Sequence, residues 1–173
     1  MRDSLLHEEI TESIIGAFFE VYNELDFGFL EHICVAGLEN ELHRRGHKVE
    51  REIGVQVWYK GDGIGTQRLD ILIDDVIVVE VKSTLVLHPS AMRQLTSYLR
   101  ATNLEVGLLL HFGEEPNFYR RVVSNKNKKN IRQLSAQDPP NPRTNCIQLA
   151  DSQRLNEVSE TAPSSEQSPQ EPP

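Results

Sequence analysis

The stretch Arg-Leu-Asp-Ile-Leu-Ile-Asp-Asp-Val-Ile-Val-Val-Glu-Val-Lys, residues 68 to 82, decides the fold. It contains two apolar, β-branched runs, residues 69 to 73 and 76 to 81, separated by Asp74 and Asp75. This pattern predicts a β-hairpin. Because both runs are apolar at nearly every position, both faces of the hairpin should be covered, as they are in central strands of a sheet.

Three charged residues interrupt this apolar hairpin. Asp70 lies within the first run, and Glu80 and Lys82 lie at the end of the second. Burying an unpaired carboxylate is costly, so these groups should share a metal, a proton or each other. Glu80 and Lys82 are two residues apart in a strand and therefore point to the same face. An ion pair at the edge of the sheet is the simpler alternative.

The length of the hairpin connection decides whether Asp70 joins the other two charges. A two-residue turn at residues 74 and 75 pairs Ile73 with Val76 and directs Asp70 to the opposite face. A three-residue connection, or one bulge, instead sets Asp70 directly opposite Glu80. We therefore expect an odd-numbered connection.

Apolar periodicity over the rest of the chain predicts the other elements. Helices are expected from about 5 to 24, 29 to 45 and 89 to 101, a strand or a bulged pair at 48 to 60, and further strands at 105 to 112 and 117 to 123. The strand at 105 follows a helix, as a parallel crossover requires. The predicted fold class is therefore α/β with a mixed sheet.

Composition limits the location and the partners of the chain. No apolar run approaches the roughly 20 residues of a membrane span, and the two cysteines are far apart, so we expect a cytoplasmic protein without disulfides or membrane contact. A net charge of −8 opposes nucleic-acid binding over the whole surface. Basic residues nevertheless cluster at 44 to 51 and 120 to 129, which allows a local basic patch or a merely solvated surface.

The composition changes near the C-terminus. Residues 131 to 173 contain all but two of the nine prolines and no aromatic residue. Such a segment cannot bury enough apolar surface to offset its ordering entropy. We therefore predict a folded domain over residues 1 to 126 and a disordered tail over residues 127 to 173, in which Cys-Ile-Gln-Leu at 146 to 149 is at most a docking motif for a protein partner.

The order of charged residues resembles the PD-(D/E)XK nuclease superfamily. Asp70 is followed by Glu80-Val81-Lys82, and Gln94 with Tyr98 matches the Gln-x-x-x-Tyr motif of its RecB-type branch. The predicted elements match the α-β-β-β-α-β restriction-endonuclease-like core of that superfamily, with an extra N-terminal helix.

More closely, the chain resembles the GxxExxY family, which is placed in the same superfamily. The resemblance covers roughly residues 5 to 123 and is carried by Gly28-Phe29-Leu30-Glu31, Leu38, Glu41-Leu42, Tyr59-Lys60-Gly61, Arg68-Leu69-Asp70, Glu80-Val81-Lys82, Gln94, Tyr98-Leu99 and residues 107 to 113. The tyrosine that gives the family its name is replaced by Cys34, and the acid usual after it by Val35.

The resemblance implies a metal-dependent nuclease that hydrolyses phosphodiester bonds, with DNA as the expected substrate. The predicted metal ligands for Mg²⁺ or Mn²⁺ are Glu31, Asp70, Glu80 and the Val81 carbonyl, with Glu31 bound directly or through water. The predicted catalytic residues are Asp70, Glu80, Lys82 and Gln94. Lys82 would orient the attacking water, and Gln94 would hold Lys82 or that water. Arg68 and Tyr98 are the predicted contacts to nucleic-acid phosphates.

Each of these roles has a simpler alternative. Glu31 suits the first turn of a helix through the macrodipole, and Gln94 suits an exposed surface. Tyr98 suits ordinary core packing, and Arg68 balances nearby acids. The whole chain could also be a non-cleaving module with a nuclease fold that binds nucleic acid or a protein, or a structural subunit that binds no metal. The complete charged motif favours the nuclease, whereas the small size, acidic charge and missing tyrosine favour the module. The oligomeric state is not indicated by the sequence.

Overall fold

The structure, a computed structural model, describes residues 5 to 128 and shows a five-stranded mixed sheet with helices on both faces. The elements are α1 (Glu8–Leu25), α2 (Glu31–Arg44), β1 (Val49–Tyr59), β2 (Asp62–Ile73), β3 (Ile77–Lys82), α3 (Ser90–Ala101), β4 (Val106–Phe112), β5 (Pro116–Val122) and a short 3-10 helix (Asn125–Asn127). The strands lie in the order β1-β2-β3-β4-β5, and only β3 and β4 are parallel among these neighbours. The predicted α/β fold with a mixed sheet is confirmed.

Two apolar clusters in the described part of the chain explain why the central strands are apolar on both faces. Helices α1 and α2 pack on one face of the sheet, where Phe18 and Leu38 meet Val79 and Leu108. Helix α3 packs on the other face through a cluster that contains Val78, Leu95, Leu99 and Leu109. Strands β3 and β4 are buried at every position except Lys82, as the hairpin pattern predicts.

The β2–β3 connection has the predicted odd length. Ile73 pairs with Ile77 and Ile71 pairs with Val79, so three residues connect the strands. Asp74 and Asp75, with φ of 50° and 60°, occupy the left-handed region, which aspartate tolerates better than most residues. Continuing this register beyond Ile71 sets Asp70 opposite Glu80.

The first hairpin is longer than predicted. Strand β2 begins at Asp62 rather than at residue 69, and its first half, which includes Gly63 and Gly65, is exposed and pairs with β1. Those residues show no apolar alternation, so their extended conformation depends on β1 as a pairing partner. A register shift between Val57 and Trp58 lies in the same ribbon, consistent with the strand or bulged pair expected at 48 to 60.

The described chain continues slightly past the predicted domain boundary at residue 126. Asn127 closes the 3-10 helix, and the Lys128 ammonium donates to the carbonyl oxygens of Thr102 (3.0 Å) and Leu104 (2.6 Å). The predicted tail and its docking motif beyond Lys128 lie outside the described residues. None of the helices within residues 5 to 128 is both long enough and apolar enough to span a membrane.

Gly107 fixes how closely α3 approaches the sheet. A Cβ atom at this position would lie 2.7 Å from Leu95 Cδ1 and 3.3 Å from Leu99 Cδ1, and both leucines are fully buried. We expect Gly107→Ala to lower the free energy of unfolding by about 1 to 3 kcal/mol, because a packed core resists an added methyl group. Urea denaturation measures this change.

Gly65→Ala is the matched control, because a Cβ atom there has no neighbour within 4 Å. This substitution should be neutral or slightly stabilising, since glycine is unfavourable within a strand. Equal effects of the two substitutions would show that α3 moves freely away from β4.

Candidate active site

The residues predicted to bind metal surround the ammonium group of Lys82. Its Nζ atom lies 2.7 Å from Glu80 Oε1 and 3.7 Å from Glu31 Oε1. The same atom lies 4.0 Å from Asp70 Oδ2 and donates to the Val81 carbonyl at 3.0 Å. Side chains from α2, β2 and β3 therefore converge at the end of β3, which is buried at every position except Lys82. We call these residues the acidic cluster: Glu31, Asp70, Glu80, Val81 and Lys82.

Glu80 is the most constrained member of the acidic cluster. Its exposed fraction is 0%, and neither carboxylate oxygen has a hydrogen-bond partner within the described residues. Glu80 Oε1 forms an ion pair with the Lys82 ammonium, which also donates a hydrogen bond to the Val81 carbonyl. Burial, followed by the charge of Asp70, raises the pKa of Glu80 from 4.5 to about 7, although Lys82 acts in the opposite direction. The ion pair with Lys82 therefore offsets only part of the cost of burying the Glu80 carboxylate.

Lys82 supplies the positive charge that this group of acids requires. Burial lowers the pKa of Lys82, but the carboxylates of Glu80, Asp70 and Glu31 outweigh burial and raise it above its usual value. Lys82 is therefore positively charged at neutral pH. In this structure its ammonium lies among the oxygen atoms that the sequence assigns to a metal.

Asp70 is fixed by the backbone of the neighbouring strand. Its Oδ2 atom accepts a hydrogen bond from the Val81 amide at 3.1 Å. This contact follows from the hairpin register, which brings the two strands together beside the last paired residues, Ile71 and Val79. Asp70 is partly exposed, so one side of its carboxylate remains accessible to a ligand.

Glu31 enters the acidic cluster from the first turn of α2, with an exposed fraction of 43%. The Ser83 hydroxyl donates to the Phe29 carbonyl at 2.6 Å and joins the segment before α2 to the segment after β3. Sequence analysis missed this positioning role of Ser83, because a serine after a strand carries no distinctive signal. Cys34, which replaces the family tyrosine, is buried in the core, and its Sγ atom lies 3.9 Å from the same carbonyl.

Gln94 and Tyr98 form a pair on α3. The Gln94 side-chain amide donates to the Tyr98 hydroxyl, and within residues 5 to 128 it makes no hydrogen bond to Lys82. Of the two roles predicted for Gln94, a hydrogen bond to Lys82 is absent among the described residues, and contact with the attacking water stays a prediction. Tyr98 is buried, and burial is the main cause of its raised pKa, with smaller effects from the charges of Glu80 and Asp70. The pair thus lies beside the acidic cluster.

Arg68 does not contact the acidic cluster. Its guanidinium is exposed and lies 3.6 Å from Glu52 Oε2 on β1. The suggested charge-balancing role is thus exerted on Glu52, and an exposed pair of this kind is weak enough to exchange for a phosphate.

The acidic cluster provides the oxygen ligands that a hard divalent cation prefers. Asp70 and Glu80 contribute carboxylates and Val81 a carbonyl, and Glu80 Oε2 makes no hydrogen bond to the described residues. However, no three His, Cys, Asp or Glu side chains in residues 5 to 128 are close enough together to hold a metal. Glu31 therefore does not complete a ready-made set of three acids, and a bound cation would rely on it less than on the two strand residues.

Sequence comparison identifies the family. A profile described as the PD-(D/E)XK nuclease superfamily matches residues 8–122, which is more than half of the chain. The chain belongs to the PD-(D/E)XK nuclease superfamily. The superfamily core corresponds to α2-β1-β2-β3-α3-β4, with α1 as the extra N-terminal helix. Members of the superfamily typically depend on metal ions.

Other comparisons add little to this assignment. The chain is similar to a crystal structure of a protein called SSO0001, with 19% identity and a TM-score of 0.43. The similarity covers 88% of this chain and 69% of the other. No curated protein matches the sequence significantly.

Proposed function

We propose that this superfamily member is a metal-dependent nuclease of the GxxExxY type that hydrolyses phosphodiester bonds in DNA. The observation that supports this function best is Glu80, a carboxylate with an exposed fraction of 0% that must share the Lys82 ammonium with Asp70 and Glu31. A purely structural residue at this position would avoid the cost of burying a charge. In a site that binds a cation, by contrast, the same negative charge strengthens the binding.

Asp70, Glu80 and the Val81 carbonyl would hold Mg²⁺ or Mn²⁺, and Glu31 would contribute directly or through water. When bound, the metal polarises the scissile phosphate and lowers the pKa of its water. The hydrogen bond from the Val81 amide to Asp70 Oδ2 fixes the Asp70 carboxylate in position for this role.

Lys82 would act on the water and on the reacting phosphate. With Glu80 holding a cation, the Lys82 ammonium would donate hydrogen bonds to the nucleophile and to oxygens that gain charge in the transition state. The Lys82 backbone lies at the end of a buried strand and is held in place, so only the side chain would need to move to make these hydrogen bonds. Lys82 therefore combines two roles, as a counter-ion without metal and as a donor with metal.

The remaining predicted residues would bind or position the substrate. Gln94 and Tyr98, already hydrogen-bonded to each other, would place one amide and one phenol beside the reacting phosphate. Arg68 would exchange its exposed contact with Glu52 for another phosphate of the DNA strand that contains the reacting phosphate.

A cleavage assay with labelled single-stranded and double-stranded DNA tests this function. We expect products with Mg²⁺ or Mn²⁺ and none with EDTA. Asp70→Asn should reduce the rate by at least about a hundredfold, because it removes a charged ligand while keeping the side-chain volume.

Asp62→Asn is the matched control, since Asp62 is an exposed acid at the start of β2. This variant should cleave at the wild-type rate. Absence of metal-dependent cleavage by the wild type on both substrates would contradict the nuclease proposal.

One observation favours the alternative of a non-cleaving nucleic-acid-binding module. The Lys82 ammonium already offsets part of the negative charge of the acidic cluster, so the fold brings these acids together without a metal. Under this alternative, the wild type and Asp70→Asn would bind DNA equally, and neither would cleave it.

A further inference from the structure

A concave region whose described lining contains no residue of the acidic cluster lies on the α3 side of the sheet. It is a cavity of about 570 Å³, which is within the size range of pockets that enclose small organic ligands. Nine described residues line it: Val57, Trp58, Gln67, Ser97, Arg100, Ala101, Val123, Asn127 and Lys128. We call it the Trp58 cavity. Its lining comes from β1, β2, α3 and the C-terminal end of the described chain.

The lining of the Trp58 cavity matches the chemistry of a nucleobase. Trp58 is the aromatic residue among the described lining, and Val57, Ala101 and Val123 are its apolar residues. The hydroxyl of Ser97 donates to the side-chain carbonyl of Gln67 at 3.1 Å, which places a small polar pair at one side. Base recognition uses this combination of one aromatic face and a few amide and hydroxyl groups.

The charge around the Trp58 cavity suits a phosphate backbone. A smaller cavity on the same helix shares Arg100 and is also lined by Arg93 and Arg121. Among the described lining residues of both cavities there is no acid, although the chain has a net charge of −8. Lys128 contributes less, because its ammonium is bonded to two backbone carbonyls. The three arginines therefore form the basic surface of α3 and β5.

The Trp58 cavity lies within reach of the acidic cluster. Gln67 precedes Asp70 by three residues on β2, which corresponds to about 10 Å along a strand. On α3, Arg100 follows Gln94 by six residues, or about 9 Å. At about 3.4 Å per nucleotide along one stacked strand, these distances correspond to roughly three nucleotides.

We propose that the Trp58 cavity binds one base of a single-stranded nucleic acid, stacked on Trp58, while Arg100 contacts an adjacent phosphate. The inference deepens the proposed function and rests on it only in taking nucleic acid as the ligand. A paired base cannot enter such a cavity without leaving its duplex, so the site selects unpaired or flipped bases.

Trp58 is the single tryptophan of the chain, so its fluorescence reports directly on the cavity. The probe is a single-stranded DNA of about 12 nucleotides, titrated into the full chain with EDTA to prevent cleavage. An abasic strand of equal length serves as the matched ligand. We expect saturable quenching by the DNA and none by the abasic strand, even when fluorescence anisotropy of a dye label shows that the abasic strand is bound.

Two substitutions test the contacts separately. Trp58→Leu should weaken binding of the DNA strand by about tenfold, as expected for loss of one stacking contact, and should leave the abasic strand unaffected. Arg100→Gln should weaken both strands and reduce the salt dependence by about one phosphate contact. Arg44→Gln is the matched control, because Arg44 on α2 is 79% exposed and lies on the other face of the sheet.

The outcomes separate this inference from the nuclease proposal. Absence of DNA binding, unchanged Trp58 fluorescence in a saturated complex, or equal effects of Arg100→Gln and Arg44→Gln would overturn the cavity proposal. DNA cleavage without quenching would retain the nuclease and reject the cavity. Base-dependent quenching without cleavage under any metal would retain the cavity and reject the nuclease.

Discussion

Without metal, the stability of Glu80→Gln relative to the wild type should increase by about 3 kcal/mol between pH 4.5 and pH 7. The pKa of Glu80 is raised from 4.5 to about 7 in the folded protein, mainly by burial. Below pH 4.5 the carboxyl is protonated in both the folded and the unfolded state, so it imposes no penalty. As the pH rises, the unfolded state releases its proton first and becomes favoured, and the loss is complete above pH 7. The size follows from about 1.36 kcal/mol for each unit of pKa change.

Urea denaturation in EDTA at several pH values measures this effect. The buried amide of Glu80→Gln carries its own cost, but that cost is independent of pH and cancels from the slope. Glu115→Gln, at an exposed position, is the control and should follow the wild type throughout. A difference between Glu80→Gln and the wild type that stays constant with pH would show that Lys82 keeps Glu80 ionised in the folded state.

Mg²⁺ should stabilise the wild type by about 2.7 kcal/mol at a hundredfold excess over its dissociation constant, because it binds only the folded state. Asp70→Ala should lose this stabilisation. Lys82→Ala should lower the stability of the metal-free protein, because Glu80 and Asp70 then repel each other without a counter-ion. It should retain the gain from Mg²⁺ and lose cleavage, since the ammonium acts on water rather than on metal.

Thermal unfolding with increasing Mg²⁺ at pH 8 measures these differences, and Ca²⁺ tests whether the site discriminates by cation size. Asp62→Asn again controls for the loss of an acidic charge. If millimolar Mg²⁺ or Mn²⁺ leaves the melting temperature of the wild type unchanged and no DNA is cut, the non-cleaving module becomes the better account of the chain.

The central hairpin could be predicted from sequence because its geometry is a matter of counting. Side chains alternate in a strand, so the requirement that Asp70 and Glu80 meet determines the three-residue connection found between Ile73 and Ile77. The burial of β3 and β4 could also be predicted, because each strand is a nearly continuous run of apolar residues.

Contacts that depend on rotamers could not be predicted in this way. Gln94 bonds to Tyr98 on its own helix rather than to Lys82, a choice set by the packing of α3 on the sheet. The bond between Ser83 and Phe29 links segments that are distant in sequence and carry no shared pattern. The Trp58 cavity was not predicted either, because its lining comes from four separate segments, although the seven-residue spacing of Arg93 and Arg100 on α3 does indicate a common face.

The parallel pairing of β3 with β4 also bears on how the protein folds. Hairpin β2–β3 is local and can form early, whereas Glu80 lies beside Leu109 only after the chain has passed through α3 and returned. The Glu80 carboxylate thus stays hydrated until this crossover forms. If the crossover forms after the rate-limiting barrier, the free-energy cost of dehydrating Glu80 is also imposed after that barrier. A penalty imposed there accelerates unfolding more than it slows folding, so a bound cation would act chiefly by prolonging the lifetime of the native state.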